Sequence, residues 1–204
     1  MKRLLPVVIA LAMLVSPAAA VAATAPDNVL GVPWGATPAA AKQILDQKGF
    51  AFEYEEQNVQ RLGAQALPAA RLLFYRGLYA NYRALVGVDY VKDQLVRVRV
   101  MVMPSSNGGE YNYQTIGDDL FELLSGKYGP PTKQDSQPVG VMHPPPEPQK
   151  TAFWDWTGST RIVLSRMPLY SFATGDEPQP SQITVAYYNY GLHEDIKKKM
   201  RDNF

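Results

Sequence analysis

Histidines and carboxylates are the residues here most able to do chemistry. The chain has two histidines: His143 lies in a proline-rich stretch and His193 near the C-terminus. Neither has a ligand partner at i, i+4 or carboxylates at metal-ligand spacing, so no zinc site is signalled. No serine sits in a G-x-S-x-G elbow, which leaves neither histidine with a nucleophile to activate. The absence of cysteine excludes thiolate nucleophiles, iron–sulfur clusters, cysteine zinc sites and disulfides. Two carboxylates alone can hydrolyse a glycosidic bond, and Glu53, Glu55 and Glu56 form one acidic group, Asp118 and Asp119 another. Glu53 and Glu55 would share one strand face, an arrangement that favours a solvated edge. Asp118, Asp119 and Glu122 read as the solvated, dipole-favoured first half of a helix. The stretch Ser105 to Gly109 precedes a helix but lacks the lysine of a phosphate-binding loop. No catalytic residue, metal ligand set or cofactor is therefore assigned.

Aromatic residues carry more information. Trp154 and Trp156 share one strand face by alternation, as do Tyr188 and Tyr190, so the rings either form an amphipathic row on one sheet face that binds a ligand or partner, or cover the sheet beneath the helices. Arg97 and Arg99 lie on another strand and would stack on rings or pair with carboxylates. These six residues form the candidate binding surface, for a partner protein first and for a small ligand second.

Such a surface needs strands to display it. From Gln94 to Met103, Val96, Val98, Val100 and Val102 alternate with Arg97, Arg99, Met101 and Met103, which predicts an antiparallel strand with one dry face. Tyr82 to Val91 reads as its partner across a Lys92-Asp93 turn. Thr151 to Trp156 and Arg161 to Met167 flank a second turn, Thr157 to Thr160, and Ile183 to Tyr190 is a final strand. Phe50 to Glu56 and Arg71 to Tyr79 are further strand candidates. Thr37 with Pro38 behind it predicts a helix over 38–48, stopped by Gly49. A second helix is expected over 112–127, with Ile116, Leu120, Leu123 and Leu124 on its apolar face.

Both halves of the chain run in the same order, a helix, a glycine stop, then strands ending in an alternating one. The reading is a single α+β domain over 27–190, with pseudo-repeats at 27–105 and 110–190 and a helix or tail over 191–204. Its architecture is two-layer, an antiparallel sheet with helices on one face. Two long connections, Gln137 to Gln149 with prolines at 138, 144, 145, 146 and 148, and Pro168 to Ser181, read as extended surface loops.

The first 23 residues have the form of a secretory signal peptide: Lys2 and Arg3, an apolar run from Leu4 to Val15, then small residues at Ala20, Ala22 and Ala23. That run is too short for a membrane-spanning helix, and no comparable stretch follows. A periplasmic or secreted product with no membrane span after cleavage is expected. At 46% hydrophobic the chain can bury a core, and 20 Lys plus Arg against 19 Asp plus Glu give no charge excess to draw it onto nucleic acid.

The segment Leu30-Gly31-Val32-Pro33-Trp34-Gly35-Ala36-Thr37 resembles the entry of many small exported bacterial domains, and Lys127-Tyr128-Gly129-Pro130 resembles their helix exit. Helix-plus-sheet modules of this kind look like the BamE/SmpA and beta-lactamase-inhibitor-protein types. The resemblance implies protein binding, as an outer-membrane assembly subunit or an enzyme inhibitor. It covers two short stretches and brings over no functional residue, and the chain lacks the lipobox cysteine of BamE. The functional expectation is an exported, non-catalytic binding protein of the bacterial cell envelope, with another envelope protein as partner. The alternatives are a small-molecule or lipid carrier with an aromatic-lined pocket, and a carboxylate-dependent hydrolase.

Overall fold

A computed structural model describes residues 24–57, 70–102, 113–137, 149–167 and 182–202. The segment 1–23, residues 58–69, the Ser105 to Gly109 stretch with its neighbours, the interiors of both long connections and His143 lie outside the described residues. Among those described, the chain is α+β, with three helices, an eight-stranded antiparallel sheet and a small two-stranded one.

Strands β1 (Asn28–Val29) and β2 (Val32–Pro33) pair across Leu30 and Gly31, both with positive φ. Trp34 donates its indole N–H to the Pro26 carbonyl at 2.7 Å. Helix α1 (Pro38–Gln47) follows, with Thr37 accepting from the Ala40 amide as N-cap and Pro38 in the first turn. Gly49, at φ +81°, ends it as the spacing predicts.

Four strands then run as a meander: β3 (Ala51–Gln57), β4 (Ala70–Tyr79), β5 (Tyr82–Val91) and β6 (Gln94–Val102). After α2 (Tyr113–Tyr128) a second meander follows: β7 (Lys133–Gln137), β8 (Gln149–Trp156), β9 (Thr160–Met167) and β10 (Gln182–Asn189). The chain then enters α3 (Tyr190–Arg201). The spatial order is β3-β4-β5-β6-β10-β9-β8-β7, so each half is a helix plus four strands and the two last strands meet at the centre. Six residues of β10, Ile183 to Tyr188, face Val102 to Arg97 of β6 along that seam.

Valine alternation on β5 and β6 gives the sheet its dry face. Val86 and Val88 of β5, Val98, Val100 and Val102 of β6, Ile183 and Val185 of β10, and Ile162 and Leu164 of β9 are buried there. Ala41 and Leu45 of α1 and Ile116, Leu120 and Leu124 of α2 join the same core. Burial of this apolar area is the main stabilising term. Leu123, expected on the apolar face of α2, is instead 50% exposed, because one turn of helix presents only part of its circumference to a sheet.

The expectation of helices on one face holds for α1 and α2, whereas α3 packs on the reverse. The cause is a bulge. Asp89 faces Arg97 but Tyr90 faces Leu95, so Val96 is an extra residue in β6. Leu95 therefore stays in the main core, while Val91 and Val96 form a separate cluster with Ile196 and Leu192 of α3. Val96 does not belong to the dry face that its alternation with Val98 suggests. Tyr190, expected as the last strand residue, is the first of α3, with Asn189 as N-cap accepting from the Leu192 amide at 2.9 Å.

Candidate functional site

Trp154 and Trp156 do share a strand face, but it is the one beneath α2. Trp154 is 1% exposed, donates its indole N–H to the Gly129 carbonyl at 2.8 Å and lies 6.0 Å from the Phe121 ring. Trp156 is half-buried at the end of the same face, edge-on to Tyr128. Tyr188 lies on the reverse face, so a single row of rings across Trp154, Trp156, Tyr188 and Tyr190 does not exist. Two tryptophans belong to the helix-covered layer. The other four candidates come together on the opposite side.

Strand register sets the pattern there. Asp89 of β5, Arg97 of β6, Tyr188 of β10, Arg161 of β9 and Asp155 of β8 are direct cross-strand neighbours, in that order. The row reads acid, base, phenol, base, acid across five strands. Arg97 is ion-paired with Asp89, and Arg161 with Asp155. Arg161 also stacks its guanidinium 5.4 Å from the Tyr190 ring and 5.7 Å from the Phe153 ring. Tyr190 is 41% exposed and lies edge-on to Tyr188.

At one end of this patch, Tyr188 and His193 are hydrogen-bonded through the phenol and Nδ1. Burial pushes the Tyr188 phenol up to about 12, assisted by Tyr190 and opposed by Arg97. Burial also lowers His193, with Lys197 and Arg97 acting in the same direction and Glu194 against it. Both groups are therefore neutral at pH 7. His193 Nε2 is buried and has no hydrogen-bond partner among the described residues.

Arg99 occupies the next row. Its cross-strand neighbours are Gly87 and Ala186, with the Phe74 ring lying over Gly87. Its one hydrogen bond among the described residues runs from Nη2 to Asp89 at 3.3 Å, and Asp89 already serves Arg97. Its Nε is buried with no partner among the described residues. In the same row Phe74 faces Gly87 and carries Tyr54 stacked on it, ring centres 4.4 Å apart. Three arginines thus share two carboxylates beside a set of rings. This arrangement can hold an acceptor-bearing group in place by hydrogen bonds and charge.

The acidic group on β3 is divided by a bulge between Phe52 and Tyr54. Glu53 pairs with Arg76 at 2.8 Å, and Glu55 pairs with Arg71 at 2.8 Å, so the two do not share a face as alternation implied. Asp118 pairs with Arg166, and Asp119 accepts from Tyr82. Among the described residues no group of three His, Cys, Asp or Glu could hold a metal ion, and no helix is long and apolar enough to cross a membrane.

Sequence reasoning missed Asp89, Arg161, Asp155 and His193 as members of this patch. Their positions depend on register between strands from different halves, which no local pattern encodes. For His193 there was a usable signal, Asn189 as a helix N-cap. Compared with known proteins, the chain matches no family model, no curated protein and no solved structure.

Proposed function

We propose that this is an exported, non-catalytic binding protein of the bacterial cell envelope, which holds another envelope protein on the reverse face of its sheet. The observation that supports this most is Arg99: a guanidinium in the middle of the sheet with, among the described residues, a single long hydrogen bond and a buried, unpartnered Nε. The side chain is still partly open to solvent, and a carboxylate or carbonyl from a partner would add hydrogen bonds to its accessible guanidinium nitrogens. Rings at Tyr188, Tyr190 and Phe153 would supply rigid amphipathic area around it. The signal-like segment before residue 24 supports an extracytoplasmic setting.

The test is cross-linking capture from the native envelope fraction, comparing the wild-type protein with Arg99→Gln. Arg99→Gln is expected to keep its thermal unfolding temperature and lose the captured protein. Undiminished capture by a folded Arg99→Gln protein would overturn the assignment of this face.

A further inference from the structure

A second feature lies on the opposite face. Between α2 and strands β7, β8 and β9 is an open cleft of about 440 Å³, within the size range of small-ligand pockets. Phe121 and Leu164 give it apolar walls, and Gln134, Ser136, Lys150 and Arg166 give it polar ones.

Its charges are arranged in a way that folding alone does not favour. Lys150 and Arg166 are direct cross-strand neighbours on β8 and β9, and like charges placed opposite one another destabilise a sheet. Arg166 is only 9% exposed, on the face otherwise filled by hydrophobic residues. Helix α2 admits it through Gly117, where an added Cβ would come within 2.7 Å of Arg166 Cδ. Glycine weakens a helix interior, so the helix is compromised at the point where the cation enters. The Arg166 guanidinium lies 5.7 Å from the Phe121 ring centre and uses Nη1 to pair with Asp118. Asp135, also lining the cleft, is held by Lys133 at 2.6 Å. Lys150 has neither a hydrogen bond nor an ion pair among the described residues. Among the described residues the cleft therefore carries one uncompensated positive charge beside an apolar wall.

We infer that this cleft binds a small organic carboxylate, with the carboxylate between Arg166 and Lys150 and its apolar body against Phe121 and Leu164. A single negative charge matches the single uncompensated cation. A dianion such as phosphate would meet Asp118 and Asp135 and gain nothing from the apolar wall. The planar guanidinium, with Nη2 not used by its Asp118 bond, keeps a donor for a carboxylate. Ser136, directly across β7–β8 from Lys150, adds a hydroxyl donor.

The experiment is an NMR titration of the isotope-labelled protein with phenylacetate, its neutral analogue phenylacetamide, and inorganic phosphate. Phenylacetate is expected to give saturable shifts at the Gly117 and Ala152 amides, with the other two probes binding about tenfold more weakly or less. Lys150→Gln removes an exposed side chain that the fold does not use, and should weaken phenylacetate binding about tenfold with the unfolding temperature unchanged. Arg166→Lys keeps the charge but loses the fork and should weaken it as well. Absence of saturable shifts with phenylacetate, equal or tighter binding of phenylacetamide or phosphate, or unaltered binding by Lys150→Gln would each overturn the inference.

Discussion

The hydroxyls of Tyr79 and Tyr187, 108 residues apart in the chain, meet at 2.7 Å inside the core. One belongs to the first meander and the other to the second, so this bond ties the two halves beneath the helices as the β6–β10 seam ties them within the sheet. Each phenol is the other's partner in a place water does not reach. Tyr79→Phe or Tyr187→Phe alone should cost about 1 to 3 kcal/mol, because the surviving hydroxyl is left buried and unpaired. The double variant should cost less than the two singles together. A double-mutant cycle by chemical denaturation checks this, and strict additivity would show that the hydroxyls do not interact.

Buried phenols also set an alkaline limit. Burial pushes Tyr75 and Tyr188 up to about 12 and moves Tyr79, Tyr90 and Tyr187 in the same direction. A pKa raised in the folded state means the native protein holds protons that the unfolded chain gives up. The associated stability is complete below pH 10 and declines as pH rises through the folded values. Denaturation midpoints should fall steadily above pH 10, and ultraviolet titration should find a set of tyrosines that ionise only on unfolding.

On the acid side His193 acts with the opposite dependence. Its folded pKa is lowered, so the unfolded chain takes up a proton first as pH falls through 6.5. Stability is full above that pH and decreases below it, toward the lowered folded value. His193→Phe should flatten this part of the stability profile. An unchanged slope in the variant would mean that other groups produce it.

Core and candidate site should separate clearly by mutation. Trp154→Ala removes a buried indole and its bond to Gly129, and should cost about 3 to 5 kcal/mol. Arg99→Gln, on a partly solvated face, should stay within about 0.5 kcal/mol, whereas Asp118→Asn removes the partner of the largely buried Arg166 and should cost more than that. Thermal unfolding of the three variants is sufficient to compare them.

The β4–β5 turn offers a gain. Ala80 and Asn81 have φ of +50° and +68°, a type of turn that favours Asn-Gly. Ala80→Gly relieves a left-handed alanine and should raise stability by about 0.5 to 1 kcal/mol. Its unfolding temperature is the readout.

How much of this the sequence disclosed depends on range. Pro38 and Gly49 marked the limits of α1, and valine alternation located β5, β6 and their turn, because capping and period-two burial are local properties. Lys133 to Gln137 gave no strand signal, since β7 is a polar edge strand held only by pairing with β8. Trp154 could be read either as a core ring or as a surface one, and the structure places it in the core. Alternation correctly paired it with Trp156 but cannot say which face a helix will cover. The same limit hid the Asp89–Arg97–Tyr188–Arg161–Asp155 row, which exists only once β6 and β10 are in register.

That seam also determines the order in which the molecule is built. Within each meander every pairing joins strands that are neighbours in the chain, so little loop entropy is lost in forming them. Closing β6 on β10 brings together residues from opposite halves and carries the larger entropic cost. Local hairpins therefore form early and the seam late. Truncations at Val100 or Val185 should chiefly accelerate unfolding rather than slow folding, so that under strain the sheet parts first along its middle, leaving two four-stranded leaves.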